Sequence, residues 1–313
     1  MYLVGMTVTT ALTDYFSVSS CRDMQMKTIE FIDGELRELP ITKLKKDQHG
    51  TIVKFVPSEK YLGPINITTE LVENYLRCLS YILRPDLKIN FYGKKKGFDK
   101  LVTREYRYEG LSSNVKFIST SLEFEPIEIF FSNDNFDLDV SFSYDKTLDD
   151  TILNSYCNYV ITTEGGNHEL ASQRAICEFF CREAKKLDPN NKYEVTFDDC
   201  KKGLIVCTNC RHINPVFEGQ HKSKVSNRDL LSDGKRGLSE VLFKYFNNNN
   251  GLLRKIISYL RQISKIRSES NKIKGIQVKK VTTFLDDAEI EGFDNISDRS
   301  YSGYKELIIT EGD

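Results

Sequence analysis

Apolar positions along this chain fall into two rhythms, one with the period of a helix and one with the period of a strand. Val4, Val8, Leu12 and Tyr15 recur at helical spacing and predict an opening helix that runs through Tyr15. The stretch "KTIEFIDGELREL" predicts a hairpin, because Asp33-Gly34 suits the two left-handed positions of a type I′ turn. "GTIVKFVP" is a short apolar strand stopped by Pro57. From Thr68 or Thr69 as N-cap, Leu71, Tyr75, Leu79 and Ile82 predict a helix that ends before Pro85. "DLKINFYGKK" adds a strand and a turn.

The second half begins near residue 121. "IEIFFSNDNFDLDVSFSY" predicts two strands about the turn "SNDN", and "CNYVITT" a third. "EGG" breaks the pattern, and "NHELASQRAICEFFCREAKKL" is a helix with Ile176, Phe179, Phe180 and Leu187 inward and Asn167 as its expected cap. "GLIVCTNC" is a further strand, so the order is strand, helix, strand, and the unit is α+β or α/β. A polar stretch, "PVFEGQHKSKVSN" at 215–227, precedes a long helical tract. "NNNNG" interrupts that tract before Leu252, Ile256, Leu260 and Ile263 resume one apolar stripe. Residues 286–304 read as a linker or surface loop, and "ELIITEGD" as a strand that stops at its first turn. Both ends of the chain read as interrupted domains.

At 313 residues the chain has room for two cores. A formal net charge of −1 argues against a protein that coats nucleic acid over its whole surface. The total hides an asymmetry: residues 121–150 hold nine acidic residues and one basic, residues 254–280 nine basic and one acidic. No segment approaches the apolar length that spans a bilayer, and the start has no basic n-region or small-residue cleavage site, so no membrane role is expected. Eight cysteines are too sparse for a disulfide scaffold, and reduced intracellular thiols are expected. Cys207 and Cys210 form a CxxC, and Cys177 and Cys181 an i,i+4 pair, which raises zinc as an alternative. Three residues apart on a strand, however, places Cys207 and Cys210 on opposite faces.

Three blocks in one order carry a resemblance: "NYVITTEGGNHE" (158–169), "GLIVC…NPVFEGQHKSKVSN" (203–227) and "ELIITEGD" (306–313). With "VGMTVTTALTDYFSV" and "HGTIVKFVPS" upstream, the chain resembles the B or large subunit of the ATP-driven type IIA DNA topoisomerases over essentially its whole length. The resemblance implies the C-terminal part of a GHKL (Bergerat) ATPase domain over residues 1–120. It implies a ribosomal-S5-like transducer domain with a left-handed βαβ crossover over 121–265. A basic helix end and linker then cover 266–305, and the first strand of a TOPRIM domain 306–313.

By that resemblance Val4, Gly5 and Thr7 are the phosphate-facing end of the ATP lid; a helix N-terminus attracts phosphate, and a glycine lets it approach. Thr51 helps hold adenine through a water. Lys222 contacts the γ-phosphate from the transducer loop and Gln220 assists, with His221 standing where the family has threonine; lysine suits the task as a mobile point charge. A solvated connector is the alternative for this loop. The glycines of Glu164-Gly165-Gly166 are expected to serve only the turn, and His168 matches a family histidine without a catalytic role. Glu311 is the TOPRIM glutamate that, with later aspartates, binds Mg²⁺ and assists DNA cleavage and religation. The basic tract is expected to line a DNA cavity, with Arg254, Lys255, Arg261 and Lys265 as contacts; a solvated helix face is the alternative.

The resulting expectation is a segment of an ATP-dependent DNA topoisomerase, using ATP and Mg²⁺ and coupling hydrolysis to strand passage. Its partners would be duplex DNA, the A or small cleavage subunit and a second copy through the ATPase domain. The missing N-terminal and TOPRIM parts could lie on separate chains. By itself the chain is expected to be inactive, and its location the cytoplasm or nucleoid, of a host if phage-encoded. A MutL-type GHKL ATPase and a non-catalytic DNA-binding remnant are the alternatives.

Overall fold

A computed structural model describes residues 4–94 and 101–287, with side chains to residue 270. Contacts divide it into two units, Met1–Ser80 with Arg84–Tyr108, and Tyr81–Leu83 with Glu109–Asp313. Among the described residues no helix is long and apolar enough to cross a membrane.

In the first unit α1 (Val4–Ala11) leads straight into β1 (Thr13–Arg22). The helix expected to reach Tyr15 therefore stops four residues short of it, and Tyr15 pairs with Ile32 on one side and Val56 on the other. Helical spacing lost there to two strands that each offer β1 a ladder; its Val, Ser, Thr and aromatic residues suit a pleat. A two-residue turn at Asp23-Met24 joins β1 to β2 (Gln25–Ile32), and Asp33-Gly34 joins β2 to β3 (Glu35–Glu38). Both Asp33 and Gly34 have positive φ, 50° and 83°, as a type I′ turn requires. β4 (Thr42–Lys43) pairs with the start of β2, and β5 (Gly50–Pro57) runs antiparallel to β1, giving the sheet order β3-β2-β1-β5. After the short α2 (Glu59–Leu62), α3 (Thr69–Ser80) is capped by Thr68, whose Oγ1 accepts from the Leu71 amide. It packs on the hairpin β6 (Lys88–Lys94) and β7 (Leu101–Arg107).

The second unit begins with α4 (Leu111–Ile118), which packs on β8 (Ile127–Ser132) and β9 (Phe136–Tyr144). α4 buries Leu111 and Val115 in this unit. β10 (Ile152–Cys157) turns at Asn158-Tyr159, both left-handed, into β11 (Val160–Ile161), so the single strand expected at 157–163 is instead a tight hairpin. α5 (Asn167–Leu187) and α6 (Phe197–Lys201) then cross to β12 (Leu204–His212), which lies parallel to β10 and antiparallel to β9. The order is β11-β10-β12-β9-β8. β13 (Phe217–Glu218) and β14 (Lys224–Val225) form a small hairpin, followed by α7 (Arg228–Asn248) and α8 (Asn250–Asp287).

One face of the second sheet carries the core. Leu138, Val140, Phe142 and Tyr144 alternate along β9 and meet Ile176 and Phe180 of α5 with Leu242 and Phe246 of α7. Phe246 stacks on Phe179 at 5.3 Å and meets Phe180 edge-on at 5.5 Å. α7 lies against β8 because Gly237 has no side chain: a Cβ there would sit 2.1 Å from the Phe131 ring. The acidic stretch is largely paired within this unit, Arg211 bridging Asp137 and Asp139, and Lys202 meeting Asp149.

Candidate functional site

The polar stretch at 215–227 is the hairpin β13–β14, with Gly219 to Ser223 at its tip. Gln220, His221 and Lys222 are exposed there, and Lys222 holds a left-handed φ of 55°. Its ammonium lies 5.9 Å from the Phe217 ring centre, while Lys224 pairs with Glu218 across the strands at 3.0 Å. The base of the hairpin is closed by the Ser226 amide donating to Val216 O, and by Asn227 Oδ1 accepting from the Val216 amide. His212, buried, anchors the same base: its Nδ1 accepts from the Asn214 amide, which leaves Nε2 to donate to Asp229 at 3.1 Å.

The other side of the hairpin rests on the "EGG" segment. The Glu164 amide donates to Ser223 O at 2.9 Å, and the Val225 amide to Gly165 O at 3.1 Å. Gly166, with φ 143°, bridges Val225 directly, and a Cβ on it would lie 2.3 Å from Val225 O. The glycines therefore do more than turn the chain, which corrects the sequence expectation. Asn167 is also not the cap: Gly166 holds that position, and the Asn167 amide group donates to Ser226 O and Asn227 O, each at 3.0 Å. No local pattern revealed this, because the partner lies about sixty residues away; the paired glycines were the available signal.

Behind that segment His168 is fully buried, with Nδ1 unpartnered among the described residues and Nε2 3.3 Å from Thr162 Oγ1. Burial lowers its pKa to about 4, so it is neutral. Burial also raises the pKa of the neighbouring Glu169, against a hydrogen bond with Ser155.

The remaining candidates separate. Val4, Gly5 and Thr7 lie on α1 and Thr51 on β5, all in the first unit, whereas Gln220 and Lys222 belong to the second. Gly5 is exposed and its surroundings are open, and its carbonyl accepts from Thr9 Oγ1 at 2.9 Å. Thr51 is exposed and pairs with Ser20 on β1. On α8, Arg254, Lys255 and Lys265 are exposed. Arg261 points inward instead: Nη2 donates to Ala184 O at 3.1 Å at the C-terminal end of α5, beside Asp188. Arg267 likewise meets the buried Asp199 at 2.9 Å and donates to Glu194 O. A guanidinium is favourable at a helix C-terminus, and here it shares Ala184 O with the Asp188 amide, so Arg261 is an anchor and not a free contact. Glu311 and the strand at 306–313 lie outside the described residues.

Among the described residues no group of three His, Cys, Asp or Glu could hold a metal. The cysteines pair differently from a zinc set: Cys181 Sγ lies 3.6 Å from Cys200 Sγ, and Cys210 stands beside Cys157 in register on the adjacent strand.

The sequence model of the family "DNA gyrase B" matches residues 100–276. The DNA gyrase B protein of Spiroplasma citri is 25% identical over 320 residues, covering 99% of this chain and 49% of its own length. That of Metamycoplasma hominis is 27% identical over 270 residues, covering 81% and 41%. The chain thus spans less than half the length of these relatives. The crystal structure of the 43K ATPase domain of Thermus thermophilus gyrase B superposes with a TM-score of 0.68 at 23% identity, covering 87% of this chain and 74% of that one, a likeness of fold. With a family match across more than half of its residues, this chain belongs to the DNA gyrase B family, the B-type subunits of type IIA DNA topoisomerases.

Proposed function

We propose that this chain is part of an ATP-dependent type II DNA topoisomerase and couples ATP binding and hydrolysis to DNA strand passage. In this reading residues 1–120 belong to the GHKL ATPase domain, 121–265 form the transducer, and 306–313 begin TOPRIM. The observation that carries the reading is the lysine hairpin. An exposed, otherwise polar tip is held at its base by a dense set of main-chain bonds, which suits a side chain that must meet a ligand at a fixed reach. Lys222 supplies a positive charge to the terminal phosphate of ATP and Gln220 a neutral donor beside it. Gly5 and Thr7 serve the phosphate side, and Thr51 the adenine side.

The first unit also supports a larger ATPase domain. β5 has one strand partner among the described residues, β1, and Ile52, Val53, Phe55 and Val56 are each 45% or more exposed on its two faces. Such a strand is an interaction surface, and further ATPase residues, in the same polypeptide or a separate one, would cover it. Duplex DNA, an A-type cleavage subunit and a second copy of the ATPase domain are the partners of this reading. Magnesium would accompany ATP and, through Glu311, serve DNA cleavage; no step is assigned to it, because no described cluster fits it. The matches to gyrase B favour this reading over a MutL-type ATPase.

The test is Lys222→Ala in the ATPase assembled from this chain and a polypeptide bearing the rest of the ATP site. Loss of a charged contact of about 1.5–3 kcal/mol lowers turnover by roughly tenfold to a hundredfold. Thermal stability should barely change, since the side chain is exposed. Full activity in the variant would reduce the hairpin to a connector.

A further inference from the structure

We propose that the segment Glu164 to Asn167 is a positioning device for Lys222, and that Gly166 and Asn167 set how far its ammonium reaches. The inference rests on the proposed role of Lys222 at the terminal phosphate.

The hairpin carries only two residue pairs of its own, Phe217 with Val225 and Glu218 with Lys224. Two pairs do not fix the direction of an exposed tip. The residues immediately after Lys222 are fixed from outside. Ser223 O accepts from the Glu164 amide, the Val225 amide donates to Gly165 O, and Ser226 O and Asn227 O both accept from the Asn167 side chain. Val225, fully buried, is the pivot. Gly166 approaches it backbone to backbone, at a φ that side-chain-bearing residues rarely adopt, and with no space for a Cβ beside Val225 N and O. A Cβ would therefore push the two main chains apart at the arm that carries Lys222. The same contact joins the hairpin to the first turn of α5, where the Leu170 amide donates to Gly166 O, and to Asn227 at the start of α7. Force on the lysine thus arrives at two helices of the core. These groups touch no nucleotide themselves; they act through Lys222.

The experiment compares Gly166→Ala, Asn167→Ala and Lys222→Ala in the assembled ATPase, measuring binding of a non-hydrolysable ATP analogue and of ADP. A residue that places Lys222 changes only the affinity that depends on the terminal phosphate. Asn167→Ala is expected to weaken analogue binding about tenfold and ADP binding less than about twofold. Gly166→Ala should do at least as much. Hydrogen exchange in the chain alone should show faster exchange at the Val225 amide in both variants, with the core of α5 unchanged for Asn167→Ala, which covers the case in which Gly166→Ala fails to fold. Equal weakening of analogue and ADP, or no weakening from either variant while Lys222→Ala does discriminate, would overturn the proposal. If Lys222→Ala itself fails to discriminate, it is the terminal-phosphate reading that falls, whereas exchange at Val225 still reports whether the segment seats the hairpin.

Discussion

Buried His168 makes the second unit lose stability in mild acid. Its pKa falls from 6.5 to about 4 because burial penalises the charged ring, and Nδ1 has no partner among the described residues to offset that penalty. The unfolded chain therefore binds a proton between those two values that the folded chain does not, and stability falls as pH falls through this window. At about 1.4 kcal/mol per pKa unit the full effect is about 3 kcal/mol, of which about 2 kcal/mol is lost on going from neutrality to about pH 5. For a unit of this size that corresponds to roughly 4–8 °C in melting temperature. Glu169 acts with the opposite sign, since its raised pKa favours the folded state as pH falls, so a reference variant is needed. His168→Gln keeps a polar group near Thr162 and cannot titrate. Exchange protection at the buried amides of Ile176 and Phe180, measured from about pH 7.5 to about pH 5 after correction for intrinsic exchange, gives the stability of the unit directly. The wild type should lose about 2 kcal/mol more than His168→Gln over that interval. Parallel pH profiles would show that His168 is not the group responsible.

Phe246→Ala removes a ring that stacks on Phe179 and meets Phe180, and should cost about 3–5 kcal/mol, read as a fall in the denaturation midpoint without loss of α7 helicity. A cost below about 1 kcal/mol would mean that the core collapses around the gap. For DNA, Lys255→Glu with Lys265→Glu should weaken sequence-independent duplex binding and flatten its salt dependence, measured by fluorescence anisotropy. Unchanged binding would remove α8 from the DNA path. Arg261→Glu should chiefly lower stability, because it breaks the contact with Ala184 O at the end of α5.

Much of this protein was legible in its sequence because the relevant forces are local. The span expected for α5 is observed, as its apolar spacing and the preceding glycines act within one segment, but Leu187, expected inward, is exposed at the helix end. The Asp33-Gly34 turn, the strand "GTIVKFVP" and the pair of strands around "SNDN" follow equally from short-range sterics and alternation. The "EGG", "EGQHK" and "ITEGD" blocks, taken together in that order, pointed to the family before any fold was known. Tertiary structure decided what depends on partners distant in sequence. Tyr15 left its helical pattern because β2 and β5 flank it. Arg261, one of nine basic residues that look alike in sequence, became an anchor because the end of α5 offered it a carbonyl. The glycines of "EGG" gained a second task only when Val225 came to lie against them. Periodicity fixes which face of an element is apolar, but not which main chain will approach it. That approach is set by packing, and here it determines how the lysine loop is held.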